Sequence, residues 1–493
     1  MKTPFYNRIQ TYFNTEVIEL IQEEIAFMGV KELQQHIRNK NLSPVEITTV
    51  FLERIQTLNP ILNAFLTITA EYALNQAKIC ENSIMKNDPV GPLHGIPISI
   101  KDLEETKSIR TTFGSKAFDN YIPDYDSIVV ERVKKAGGII LGKTNTPEFG
   151  FKGTTENLLG DACKNPWNTS RTSGGSSGGA AASVASGMST LATGSDGGGS
   201  IRIPSSFCGT YGIKPTLGRV PKISTGSLEQ PPAHNILTQS GPITRSVEDA
   251  AILLNVLSGS DTRDLASPIL PKENFLEACE GNVKNLRIGW TPDFGYTPVD
   301  DEVLKITKES ALSLESLGCS VEESDLKLVN PTEHFLRIFA CLIVGSRNAS
   351  KNLDLSQLTD YAQEGFKTAS RFSGADYGIA LGYTNLMKLQ FEEQFQKFDL
   401  LISPTMSVTA FEIGQNPTTI NHMDVDPIWG YTPFTFPINM IGYPAASIPC
   451  GFSSDGLPIG LHIIGRNADE RTIIKLSAAI EKLKPWPAAQ TIN

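Results

Sequence analysis

Three short stretches carry residue types that could do chemistry together. In GIPISIKD, residues 95–102, Lys101 closes a run in which Ile96, Ile98 and Ile100 alternate. Residues 173–179 read SGGSSGG and include Ser176. The third stretch is Gly197-Gly198-Gly199-Ser200. A serine hydroxyl is a weak nucleophile until a base takes its proton. Histidine is the usual base, but a lysine serves when burial lowers its pKa to roughly 7–8. Lys101, at the inner end of an apolar strand, is placed for such burial. Taken alone it reads better as a lysine that snorkels to solvent from a strand end.

The surrounding elements must hold these groups. A Gly/Ser run can be a flexible linker, yet no change of composition flanks residues 173–179. They run directly into the small residues 180–186 and then into the second glycine cluster. Two glycine-rich turns around a short helix of small residues read instead as two backbone shelves packed closely, because glycine reaches unusual backbone angles and admits close approach. Further out, Ser43-Pro44-Val45-Glu46 is a helix start with a capping box. Val45, Val50, Ile55 and Leu58 follow near one face, and Asn59-Pro60 is expected to end the helix. Residues 95–102, 138–142, 287–290 and 399–405 read as strands; residues 127–137 and 300–318 read as helices closed by glycine. The first 85 residues read as helical, and residues 320–440 as helices and loops over the sheet. Strands alternating with helices predict an α/β fold with a mixed or parallel sheet.

Composition narrows the class. At 493 residues the length allows about three domains or one large α/β unit, and 40% hydrophobic with 19% charged residues supports a large core. A net charge of −10 argues against a nucleic-acid surface. The seven cysteines are scattered, form no CxxC pair and are odd in number, so neither a disulfide framework nor a zinc site is expected. No secretory leader is legible at the N-terminus, and no apolar run is long enough to span a membrane. A cytoplasmic protein is expected.

Two motif matches fail on context. Residues 137–144 fit GxxxxGK[ST], but a phosphate loop follows a strand and opens a helix. Here a helix precedes and Ile139-Ile140-Leu141 is itself a strand, which leaves Lys143 as a surface or loop lysine. Residues 175–179 fit GxSxG, but a nucleophile elbow needs an apolar strand just before it, and residues 165–172 are a polar loop. None of His234, His334, His422 or His462 sits in a context that marks a triad base.

The phrases GPLHGIPISIKD (91–102), TTFGS (111–115), GKTNTPEF (142–149), NPWNTSRTSGGSSGG (165–179), GSDGGGSIRIP (194–204), GIKPTLGRV (212–220), GPITRSVEDA (241–250) and SSDGLPIGLHIIG (453–465) resemble the amidase signature family. The likeness spans about residues 20–485. It implies a single large α/β domain, a central twisted mixed sheet covered by helices on both faces. Within it, residues 1–85 would form a peripheral helical part, 86–265 the catalytic core and 266–493 the rest of the sheet with the pocket helices and loops. The resemblance also implies roles: Ser200 as acyl-accepting nucleophile, Ser176 as the bridge, Lys101 as general base and then acid, and a cis Gly175–Ser176 peptide. The N–H groups of Gly197, Gly198, Gly199 and Ser200 would form an oxyanion hole. Phe149, Gly150, Phe151 and Gly175 would line the substrate pocket, and Asp196 with Arg202 would brace the loop. No metal or organic cofactor is implied. One departure is that Ser195-Asp196-Gly197 stands where the family commonly has Thr-Asp-Thr.

The implied reaction is hydrolysis of a small carboxylic amide to an acid and ammonia or an amine. The late half is similar to bacterial acylamidases and to the cyclic-dimer hydrolase of nylon oligomers, although Phe151 stands where that hydrolase branch has a polar residue. The A subunit of the tRNA-dependent amidotransferase is the alternative branch; Ile236-Leu237-Thr238-Gln239 stands where it carries Ser-Leu-Asp-Gln. A non-catalytic scaffold of the same fold is the other alternative. A small-molecule amide is the expected partner, and a homodimer is left open.

Overall fold

The computed structural model describes residues 22–222, 234–267, 273–348 and 354–489. Its framework is one mixed sheet of eleven strands: β1 (Phe65–Ile68), β2 (Pro97–Lys101), β3 (Ile139–Thr144), β4 (Leu191–Asp196), β5 (Tyr211–Lys214), β6 (Gln239–Thr244), β7 (Arg287–Trp290), β8 (Ser320–Glu323), β9 (Leu400–Pro404), β12 (Ala445–Phe452) and β13 (Pro458–Gly465). A separate hairpin is formed by β10 (Thr419–Ile420) and β11 (Met423–Asp424). The strands of the large sheet lie in the order β1-β3-β2-β4-β6-β5-β12-β13-β9-β7-β8. β2 is parallel to both β3 and β4, and β7 is parallel to both β8 and β9. The central strands pair antiparallel. Helices flank the sheet, and inner strands such as β2, β3 and β4 are buried along their whole length. Burial along the whole strand is expected where both faces are covered, although these strands also bury polar residues such as Lys101, Lys143 and Asp196.

The small-residue helix Gly178–Ala185 packs on β2, β3, β4 and β6. It fits because it carries almost no side chain. A Cβ on Gly179 would overlap the Ala64 carbonyl oxygen and the Asn145 backbone nitrogen. The helix Arg202–Cys208 packs on this helix and on β5, β12 and β13. The two glycine-rich turns therefore open at one place above β2 and β4.

Several sequence expectations change. The N-terminal part is not wholly helical, because β1 pairs with β3 at the sheet edge. Residues 1–21 lie outside the described chain. Asn59-Pro60 does not end its helix, which runs Pro44–Leu62 with the expected Ser43/Glu46 capping box and closes at Asn63 in the left-handed region (φ 49°). Pro60 lies in the last turn, so the bond it cannot donate is lost at the end of the helix and the turns before it stay intact.

Lys143 is neither a surface nor a loop lysine. It lies in β3, fully buried, and donates to the Glu104 carbonyl (2.7 Å) and the Thr111 hydroxyl (2.6 Å), with Asp102 at 3.4 Å. Asp102 in turn accepts the Thr112 backbone N–H at 2.9 Å. Burial pushes the Asp102 carboxyl up and the Lys143 amine down, and each charge partly offsets the shift of the other. The pair ties the end of β2 to β3, next to Lys101. Breaking a buried pair leaves an uncompensated charge and costs about 3–5 kcal/mol. Asp102→Ala is therefore expected to lower the unfolding free energy from chemical denaturation by that amount, and an unchanged value would contradict the buried pair.

Candidate active site

Lys101 ends β2 with its side chain fully buried. Its Nζ lies 2.7 Å from Ser176 Oγ, 2.8 Å from Ser177 Oγ and 3.1 Å from the Ser195 carbonyl oxygen, each within hydrogen-bonding distance. The snorkelling alternative is thus excluded by position. Burial, reinforced by the positive charge of Lys222, pushes the Lys101 amine well below 10.5; Asp196 and Glu104 oppose the shift. Among the described residues no carboxylate pairs directly with it, so no direct counter-charge offsets the shift toward the neutral amine.

Ser176 sits in the first glycine-rich turn, and the Gly175–Ser176 peptide bond is cis. Ser177 is a site residue that the sequence does not mark, apart from its place beside Ser176. Its hydroxyl accepts from Lys101 and from the Ser195 backbone N–H (3.3 Å) and donates to the Ser195 carbonyl (3.3 Å). The Ser177 N–H also donates to the Ser200 carbonyl at 3.1 Å, which ties the two turns together.

The second turn is organised by Asp196. Its carboxylate accepts the N–H of Gly199 (2.7 Å), of Ile201 (3.1 Å) and of Arg202 (3.4 Å). It is also held by the Arg202 guanidinium through Nε (2.9 Å) and Nη2 (3.0 Å). Burial would raise the Asp196 pKa, but Arg202, Lys214 and Asn439 outweigh it and keep the carboxyl well below the usual range. Arg202 also reaches Asn439 Oδ1 (2.6 Å) and His462 Nε2 (3.0 Å). Because guanidinium only donates, Nε2 accepts, and burial together with Arg202 pushes His462 well below 6.5. His462, which no sequence context marks, is part of this brace.

The peptide between Gly198 and Gly199 is turned away from the cavity. Its carbonyl accepts from the Thr435 hydroxyl (2.7 Å), and its N–H, on Gly199, is committed to Asp196. Gly199 has φ 131°, which favours glycine. Among the described residues, the N–H groups of Gly197, Gly198 and Ser200 have no protein acceptor. Of the four expected donors, three are free and Gly199 is occupied.

A cavity of about 230 Å³ opens over Ser176 and Ser200, and Gly197 and Gly198 line it as well. Phe149, Gly150 and Phe151 also line it, as expected; Gly175 does not. Gly175 is instead packed on Thr154, whose carbonyl oxygen would lie 2.6 Å from an added Cβ. Gly150 (φ 75°) abuts Ser176: a Cβ there would sit 3.2 Å from Ser176 Oγ and 2.9 Å from Leu103 Cδ1. The far wall is aromatic. Phe335 packs against Phe339 (ring centroids 5.5 Å) and Trp429 (4.9 Å), and Phe339 against Phe151 (5.6 Å). Phe335, Phe339 and Trp429 come from the segment with the weakest sequence pattern, which hides them.

A buried lysine against two serines, in a mixed sheet closed over by glycine-rich turns, is an arrangement that could activate a hydroxyl without histidine. The amidase family model matches residues 46–474, and the chain belongs to the amidase family. It is 34% identical to an acylamidase from Rhodococcus erythropolis, covering 95% of this chain and 98% of that protein. It is 35% identical to the A subunit of glutamyl-tRNA(Gln) amidotransferase from Carboxydothermus hydrogenoformans, over 93% and 98% of the two chains. Among solved structures it is similar to a bacterial aryl acylamidase of the amidase signature family, with a TM-score of 0.88 and 32% identity over 93% of this chain and 97% of that one. It is also similar to 6-aminohexanoate cyclic dimer hydrolase, with a TM-score of 0.83 and 29% identity over 94% and 99%. The protein is accordingly a hydrolase of carbon–nitrogen bonds in amides. Among the described residues, no helix is long and apolar enough to cross a membrane.

The burial of Lys101 has a measurable consequence. The neutral amine exists only above its lowered pKa, so a step that needs it fails as pH falls. The kcat/KM for an anilide substrate is expected to rise with pH along a one-proton limb centred well below the ordinary lysine value of 10.5. A limb centred near 10.5 would show that the ammonium is retained.

Proposed function

We propose that the protein hydrolyses a carboxylic amide bearing an apolar or aryl group, through an acyl-enzyme on Ser200 formed by a Lys101–Ser176 proton relay. The observation that carries this reading is the 2.7 Å contact of the buried Lys101 Nζ with Ser176 Oγ, on the cavity that Ser200 also lines.

A proton inventory supports the direction of the relay. A neutral amine has two N–H groups and one lone pair. The Ser195 carbonyl can only accept, so it takes one N–H. Ser177 directs its own proton to that same carbonyl and therefore accepts the second N–H. The remaining lone pair faces Ser176, whose O–H is then the one donated to nitrogen. As Ser200 Oγ attacks the amide carbon, its proton passes to Ser176 Oγ, and the proton of Ser176 passes to Lys101. The C–N bond breaks as the relay returns a proton to the leaving nitrogen. Water then attacks the ester by the same path and frees Ser200. The N–H groups of Gly197, Gly198 and Ser200 would hold the tetrahedral oxygen, each contributing about 3–4 kcal/mol.

The aromatic wall of Phe335, Phe339 and Trp429 favours an apolar acyl or aryl substituent over a strongly polar one. The acylamidase and aryl acylamidase relatives point in the same direction. The amidotransferase relatives are nearly as similar, so L-glutamine belongs in any substrate panel.

Ser200→Ala is expected to lower turnover of anilides about 10⁴-fold or more, and Lys101→Ala or Ser176→Ala by about 10²–10⁴-fold, the usual worth of general acid–base catalysis. A fluorophosphonate probe should label the wild-type protein on Ser200 and spare Ser200→Ala. Undiminished turnover by purified Ser200→Ala would overturn the assignment. Glutamine hydrolysis without anilide hydrolysis would replace the substrate class.

A further inference from the structure

The cavity over Ser200 is electrostatically one-sided. Among the described residues, Lys152 and Lys222 line it and no aspartate or glutamate does. Lys152 is already neutralised: its ammonium lies 2.6 Å from Glu156 and over the Tyr361 ring. Lys222 is half-buried, and among the described residues its ammonium faces no acidic side chain. Its backbone N–H donates to Asp264 at 2.8 Å, which anchors the main chain at the cavity edge.

A turn built by Asn235 lines the same cavity. The Asn235 side chain accepts the Thr238 N–H (2.8 Å) and donates to the Thr238 carbonyl (2.6 Å), so it is spent on the turn and not free for a ligand. The turn presents Thr238 to the cavity next to the glycine loop, close enough that a Cβ on Gly197 would sit 2.8 Å from Thr238 Oγ1. Among the described residues that hydroxyl has no protein partner. A cation and, among the described residues, an unpartnered hydroxyl thus line the same cavity as Phe335, Phe339 and Trp429. A half-buried ammonium without a counter-charge is unfavourable, and a carboxylate is the ligand group that pairs with an ammonium and a hydroxyl together.

We infer that the substrate amide also carries a carboxylate, which seats on the Lys222 ammonium and the Thr238 hydroxyl while the apolar part of the molecule lies on the aromatic wall. This rests on reading the cavity as the amide site.

Two matched pairs of probes test it: succinanilic acid against butyranilide, with the charge on the acyl side, and 4-acetamidobenzoate against 4-acetamidotoluene, with the charge on the amine side. At low salt the charged member of at least one pair is expected to have the higher kcat/KM, by about tenfold or more. Added salt should shrink the advantage. Lys222→Gln should reduce the charged-to-neutral ratio by about tenfold, whereas Lys222→Arg should keep most of it. A ratio at or below one in both pairs, or a ratio unchanged in Lys222→Gln, overturns the inference. Calorimetric binding of the same four compounds to Ser200→Ala protein gives the ratio independently of turnover. A lost charge preference and a lost hydrolytic activity are therefore read separately.

Discussion

A lysine amine fully withdrawn from water, with only hydroxyls and a carbonyl to meet it, is the constraint on which the rest of this structure depends. Burying an ammonium without a carboxylate is expensive, and the fold resolves the difficulty by favouring the uncharged amine. That solution demands three oxygens at hydrogen-bonding distance, and these come from Ser176, Ser177 and the carbonyl of Ser195. The Lys101 environment therefore fixes where the first glycine-rich turn must lie relative to the end of β4. The small-residue helix between the two turns follows from the same requirement, because a bulkier helix could not lie so close to β2 and β4.

The contrast with Lys143 shows how finely the surroundings decide a lysine's state. Both lysines are fully buried, on neighbouring parallel strands. Lys143 has Asp102 at 3.4 Å, whereas Lys101 has only neutral groups in contact. The first is a structural ion pair and the second an amine buried without a direct counter-charge. A third lysine, Lys214, donates to the Pro215 carbonyl at 2.9 Å, and burial followed by the charge of Arg202 pushes it down to about 7.

The second glycine-rich turn has a different logic. Asp196 gathers three backbone N–H groups and the Arg202 guanidinium around one carboxylate. By doing so it turns the Gly198–Gly199 peptide away from the cavity and leaves the N–H groups on either side free. Asn439 and His462, from distant parts of the chain, hold the outer end of Arg202. The brace is a means of aiming main chain, since what it orients at the cavity is the backbone of Gly197, Gly198 and Ser200.

The order of strands and the identity of Lys101, Ser176 and Ser200 as a set differ in how far the sequence alone carries them. The alternating Ile96, Ile98 and Ile100 mark β2, the Ser43/Glu46 box marks a helix start, and the glycine phrases mark the turns, because each depends on residues adjacent in the chain. The family resemblance adds the grouping of the lysine with the serines. β1 escapes a local reading because Phe65–Ile68 is short, lies between helices and gains its pairing from β3. Lys143 reads wrongly as a surface lysine because its partner Asp102 lies just past the end of another strand. Ser177, Asn439 and His462 draw no notice, since a hydroxyl, an amide or an imidazole has no distinctive local pattern. The aromatic wall likewise exists only after the segments that carry Phe335 and Trp429, far apart in the chain, converge. Local pattern determined the elements and the kinds of reactive group; long-range packing decided which charges were neutralised, which N–H groups stayed free and what kind of molecule the cavity can hold, because burial and charge pairing are properties of neighbours in space.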